Sequence, residues 1–263
     1  MSPARAHEYI EPMPPSLPQG ISHARPAWRQ ALAWLAAQAR RMPEVPSQCA
    51  VCHAWPATRL CGDCVARFAL PRPRCRTCAL PLPGGVAQCG RCVRHPPPLD
   101  ACFAAVDYGY PWAGLLAEFK FQNDPGWAEP LAARLRAAPG VAQALQQADW
   151  LLPIPLSGER LRERGFNQAL LLARRLDRAR TRGDWLLRLH ATPAQASLTR
   201  AQRLRNLRGA FALEPLAAAQ VAGRRVVLLD DVMTTGATLQ TAALVLRQAG
   251  AAHITGLVLA RTA

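Results

Sequence analysis

The sequence predicts an α/β fold, a mostly parallel sheet flanked by helices, preceded by a small cysteine-rich module. Three observations carry this reading. From Ala101 onward, short apolar strands alternate with helical segments, the signature of βαβ units. Within that region Arg225–Leu229 and Ile254–Leu259 are wholly apolar apart from the first arginine, a threonine and a glycine, as strands buried on both faces must be. Before it, eight cysteines fall in close pairs between Cys49 and Cys92.

In chain order, residues 1–24 are interrupted by Pro12, Pro14, Pro15 and Pro18 and read as a disordered tail. Residues 25–46 hold an expected helix over 26–42, with Trp28, Leu32, Leu35 and Ala39 on one face. The cysteine-rich module, residues 47–95, is dense in Pro and Gly and too small to build a core without cross-links. His95 to Pro98 reads as a stiff linker to an α/β domain over 99–263. There the expected strands are Ala101–Tyr108, Trp150–Ile154, Trp185–Leu189, Arg225–Leu229 and Ile254–Leu259. The expected helices are Trp112–Phe121, Trp127–Gln147, Arg160–Arg182 and Thr235–Ala249, the last stopped by Gly250; Arg200–Arg208 reads as a loop or short helix.

The 263 residues carry a formal net charge of +15, which favours polyanionic partners. Lys120 is the sole lysine; every other basic residue is arginine, so part of the excess reflects codon usage in a GC-rich genome. No run of 18 apolar residues and no secretory h-region is present, which predicts a cytoplasmic protein without a membrane span and with reduced or metal-bound cysteines. The absence of a G-x-x-x-x-G-K-[ST] loop argues against an ATP-driven motor.

Cys49/Cys52, Cys61/Cys64, Cys75/Cys78 and Cys89/Cys92 form four C-x-x-C knuckles separated by eight, ten and ten residues. Two knuckles complete a tetrahedral thiolate site, so four predict two structural Zn²⁺ ions with no open coordination position. Sequential pairing is the expectation; the spacing also permits knuckles one with three and two with four. Cys102 lies in an apolar strand and reads as core. His53 and His95 flank the knuckles and read as surface residues.

The segment Val226 to Leu239 carries the chemistry. A buried strand ends in Asp230 and Asp231; Thr234, Thr235, Gly236, Ala237 and Thr238 then turn into a helix. Unpaired amides at such a turn suit a phosphate, Gly236 permits close approach, and two carboxylates suit vicinal ribose hydroxyls. Helix capping accounts for one or two of these residues, not for two carboxylates, three threonines and a glycine together.

DDVMTTGAT behind an apolar strand resembles the PRPP-binding motif of type I phosphoribosyltransferases. The wider pattern resembles the ComF family (ComF/GntX-like). It comprises the knuckles, Phe119-Lys120-Phe121, Pro153-Ile154-Pro155-Leu156, Arg164-Gly165-Phe166-Asn167-Gln168 and the Arg200…Arg203…Asn206…Gly209-Ala210-Phe211 stretch. The resemblance spans Trp28 to Arg261. It implies a type I phosphoribosyltransferase fold behind a double zinc ribbon. Asp230 and Asp231 would hold the ribose hydroxyls, and Thr234, Thr235, Gly236, Ala237 and Thr238 the 5-phosphate. Pro155, Leu156 and Ser157 would form the pyrophosphate loop, with Arg160, Arg162 and Arg164 close behind. Mg²⁺ would ride on the ligand's diphosphate. Lys120 is a further candidate anion contact.

An enzyme of this kind displaces pyrophosphate from ribose C1 with a nitrogen nucleophile; no segment that reads an acceptor base is recognisable. The resemblance implies a role in DNA uptake and transformation, with PRPP or a related ribose phosphate as ligand. The competing expectation is a single-stranded DNA-binding accessory factor without turnover, supported by eight arginines between Arg160 and Arg182. No aromatic-rich stacking platform stands out in the sequence. Nothing in it fixes the oligomeric state.

Overall fold

A computed structural model describes residues 46–189 and 209–263. The expected tail, the 26–42 helix and the Arg200–Arg208 segment lie outside the described residues. The described residues all belong to one compact unit that begins at Pro46.

Two short helices, α1 (Gly62–Phe68) and α2 (Gly90–Arg94), lie in the cysteine-rich region. Then follow β1 (Ala101–Asp107), α3 (Trp112–Phe121), α4 (Ala128–Arg136), α5 (Val141–Gln147), β2 (Trp150–Pro153), α6 (Gly158–Arg164), α7 (Gln168–Leu176) and β3 (Leu186–Arg188). After the undescribed segment come β4 (Phe211–Leu213), α8 (Pro215–Val221), β5 (Arg225–Met233), α9 (Ala237–Gln248) and β6 (His253–Arg261). The main sheet has the order β1-β6-β5-β2, and every pair in it is parallel. Strands β3 and β4 form a separate antiparallel pair.

Alternation along β5 assigns its two faces. Val226 and Leu228 pack with Leu239, Ala242, Ala243 and Leu246 of α9, whereas Val227 and Leu229 pack with α3, α4 and α7. A strand buried on both sides reads as a continuous apolar run, which is why it was legible.

The cysteine region shares these cores. Cys75, Cys78, Cys89 and Cys92 belong to the cluster on the α9 face. On the other face, Ala50, Val51, Leu60, Val65 and Phe68 pack against the cluster that contains α3. Trp112 Nε1 donates to the Phe68 carbonyl at 2.8 Å, and the Cys102 N–H donates to the Arg76 carbonyl at 2.7 Å.

Several boundaries differ from the sequence reading. The expected helix 160–182 is two helices, because Gly165 takes φ 71° and stops α6. The expected helix 127–147 breaks at Gly140, φ 80°, where a Cβ would meet the Phe103 ring at 2.5 Å. The strand expected to end at Leu229 continues to Met233, so the two aspartates lie within it. Strand β4 and helix α8 were not anticipated, although Glu214-Pro215 is an N-cap with proline at the first helical position.

Candidate functional site

At its carboxyl end β5 still pairs with β6, Asp230 opposite Val258 and Met233 opposite Arg261. Adjacent residues on a strand face opposite sides, and the aspartates therefore have different partners. Asp231 points to the α3 face, where Lys120 Nζ lies 2.9 Å from its Oδ1. Asp230 Oδ1 accepts from the Asp231 N–H at 2.9 Å. Burial, with the Asp231 charge beside it, pushes the Asp230 carboxyl up to about 7.

The chain then turns into α9 through Gly236, whose φ is 80°. A Cβ there would meet Met233 Cε and lie 3.2 Å from Gln240 Nε2, side-chain ends that would have to shift, while the positive φ itself favours glycine. Thr235 Oγ1 accepts a long bond, 3.4 Å, from the Ala237 N–H. The first turn of a twelve-residue helix, with its orphan amides and positive dipole end, thus opens beside the two carboxylates.

Both features line one cleft of about 370 Å³. Its lining includes the run from Asp230 to Leu239 together with Ile154, Pro155 and Leu156. Lys120, Arg160, Arg164 and Arg188 supply four cationic side chains against the two carboxylates. Burial, followed by the nearby Arg160 charge, lowers the Arg188 guanidinium, while Asp230 acts in the opposite sense.

Of the residues singled out in the sequence, Asp230, Asp231, Thr234, Thr235, Gly236, Ala237, Thr238, Lys120, Pro155, Leu156 and Arg164 all line this cleft. Ser157 does not. Its side chain is buried and caps α6, accepting from the Arg160 N–H at 3.3 Å. Lys120 lines the cleft but is already ion-paired with Asp231. Sequence reading missed Arg188 and Tyr108. Arg188 lies on a three-residue strand that follows no motif, paired with β4 opposite Phe211, and lines the cleft.

The RGFNQ stretch braces the cleft. Asn167 caps α7, accepting from the Leu170 N–H at 3.2 Å, and its Nδ2 donates to the Ile154 carbonyl at 3.0 Å. Phe166 packs on Phe119, ring centroids 5.7 Å apart, next to Lys120. Gln168 is buried and accepts from Arg164 at 3.4 Å.

The cysteines gather into two groups, Cys49 with Cys52, Cys61 and Cys64, and Cys75 with Cys78, Cys89 and Cys92. This is the sequential pairing. Within each group the sulfurs all lie within 4.8 Å of one another, and pairs stand at 3.9, 3.6 and 3.7 Å. A tetrahedral zinc with bonds of about 2.3 Å separates its sulfurs by about 3.8 Å, whereas a disulfide needs about 2.05 Å. The N–H groups of Cys61 and Cys89 donate to the sulfurs of Cys49 and Cys75, each at 3.4 Å, as suits thiolates. Each group can hold a zinc ion through four protein ligands. His53 and His95 are exposed. Cys102 is buried, and burial raises its thiol to about 12, so it behaves as core.

Residues 172–263 match the phosphoribosyl transferase domain family. Over 230 residues the chain is 34% identical to DNA utilization protein YhgH of Escherichia coli O6:H1, covering 84% of this chain and all of that protein. Competence protein F of Haemophilus influenzae is 33% identical over 203 residues, 74% of this chain and 87% of the relative.

The chain belongs to the ComF family.

Competence protein ComFC of Bacillus subtilis matches a shorter stretch, 42% identical over 113 residues, 43% of this chain and 44% of the relative. ComF membership joins the phosphoribosyltransferase fold to the paired Cys₄ groups in one unit, as the packing of those groups against the sheet shows. Among the described residues of this ComF chain, no helix is long and apolar enough to cross a membrane.

Proposed function

We propose that the cleft binds PRPP or a related ribose 5-phosphate, with Mg²⁺ on the diphosphate, and that the protein acts in handling DNA taken up by the cell. The observation that carries this reading is the adjacency of the Asp230–Asp231 pair to the turn at Gly236, in a cleft rimmed by four basic side chains. The 5-phosphate would rest on the amides and hydroxyls of Thr234 to Thr238, as anions do at helix N-termini. Asp230 and Asp231 would accept from the ribose hydroxyls. The diphosphate would lie toward Pro155 and Leu156, within reach of Arg160, Arg164 and Arg188, whose forked donors suit phosphate oxygens. Bound Mg²⁺ would neutralise part of the diphosphate charge. The DNA role is supported by relatives named for competence and DNA utilization. Two zinc ions held by the Cys₄ groups would serve as cross-links for a segment without a core of its own.

Turnover would require an acceptor nitrogen at ribose C1 and stabilisation of the departing pyrophosphate by the basic rim. A pyrophosphate-release assay over a panel of bases tests that step; release above background with one base is expected, and none with any base would limit the protein to binding.

A second reading, single-stranded DNA binding without turnover, is favoured by the cleft mouth. Tyr108 is exposed there, and exposed Phe121 has the Arg164 guanidinium 5.1 Å from its ring centroid. Aromatic and arginine side chains together form stacking surfaces for bases. The paired substitutions Asp230→Asn and Asp231→Asn separate the readings: loss of PRPP binding with DNA binding intact assigns two surfaces, and loss of both assigns one.

A further inference from the structure

Arg261, the last residue of β6, is a buried cation with an exposure of 2%. Its Nε donates to the Cys78 carbonyl at 3.0 Å, inside the second cysteine group. Its Nη1 lies 2.6 Å from the Thr234 carbonyl and 3.2 Å from that of Met233, at the start of the phosphate turn, and also reaches the Thr262 carbonyl. One side chain thus joins the second cysteine group to the turn.

The charge balance extends the link. Among the described residues, no carboxylate forms a salt bridge with Arg261; burial lowers its guanidinium, the Cys78 side chain acts in the opposite sense, and Arg91 adds to the lowering. A buried charge persists only where it is paired and hydrogen-bonded. Four thiolates around a Zn²⁺ ion would carry a net double negative charge. A metal-loaded group would therefore be a counter-ion for Arg261, beside the hydrogen bond that already ties the guanidinium to the Cys78 carbonyl.

We propose that Arg261 is a positioning residue that couples zinc occupancy at Cys75, Cys78, Cys89 and Cys92 to the order of the ribose-phosphate turn. Only the ligand-binding consequence rests on the function proposed above. The two roles of Arg261 are separable. Its charge stabilises the thiolate site; its fork holds the carbonyls of Met233 and Thr234 in place.

The test compares wild type, Arg261→Met and Arg261→Lys in the full chain. Zinc release to a colorimetric chelator is followed in parallel with amide hydrogen exchange. In Arg261→Met, one of the two zinc ions should leave about tenfold faster, the usual scale for an outer partner of a metal site. Exchange at residues 233–238 should rise, with residues 150–152 of β2 unchanged. Arg261→Lys should restore zinc retention without restoring protection of the turn, a split that generalised loosening does not produce. Wild type stripped of zinc should show the same rise at 233–238. Wild-type protection of the turn in both variants, or in the stripped protein, would overturn the proposal. If the wild type binds no ribose 5-phosphate, the proposed function fails while the exchange and zinc measurements still decide the coupling.

Discussion

At the residue scale, the site is a set of groups held in costly states. Asp230 is the clearest. In an unfolded chain an aspartate ionises near pH 4, while in the fold Asp230 does so near 7, so the folded protein keeps a proton that the unfolded chain releases between those values. Its contribution to stability therefore declines as pH rises from about 4 to about 7. Asp230→Asn removes the decline while its carboxamide oxygen still accepts from the Asp231 N–H. The variant should gain melting temperature relative to wild type at pH 8, gain less at pH 5, and lose PRPP binding at both; thermal denaturation and calorimetry at the two pH values check this. Gly236 is the second such residue. Gly236→Ala forces a side chain into φ 80° and against Met233, at a backbone cost of about 1–3 kcal/mol, measurable by denaturant unfolding, together with loss of phosphate binding. These residues were legible because the chemistry sits in one contiguous stretch. Arg188 was not, since its approach to Asp230 is a long-range contact that no local pattern announces.

At the element scale, the chain positions the site by stopping helices and capping them. Ser157 and Asn167 begin α6 and α7, and Gly165 separates the two. Arg160 and Arg164, one helical turn apart on α6 just before this corner, both line the cleft. Amphipathic spacing across 160–182 concealed the break; the glycine was the available signal. Asn167→Ala removes a cap worth about 1 kcal/mol and frees the Ile154 carbonyl. Stability should fall by that amount and ligand affinity should weaken, whereas a cap with no bearing on the cleft would change stability alone. The extension of β5 past Leu229 was hidden for a different reason. Two adjacent carboxylates read as the end of a strand, yet pairing with β6 through Met233 outweighs their low strand preference.

At the scale of the whole molecule, the two cysteine groups hold opposite sides of the sheet. The first packs on the face that carries α3 and Lys120, the second on the face that carries α9. The knuckle spacing gave both sites, but their pairing and shared packing required the fold. Elemental analysis should return two zinc ions per chain, and chelation should abolish ligand binding along with the metal; one ion or none would contradict the site assignment. If the basic rim also takes single-stranded DNA, affinity should fall steeply between about 50 and 200 mM salt, by roughly 300-fold for six phosphate contacts. The central claim is that twin carboxylates and a helix-start turn together grip a ribose 5-phosphate. Calorimetric titration of the zinc-loaded protein with PRPP and Mg²⁺ tests it most directly. Saturable one-site binding, lost in the Asp230→Asn, Asp231→Asn double variant, is the predicted result; a folded, zinc-loaded protein that shows no saturable binding would contradict it.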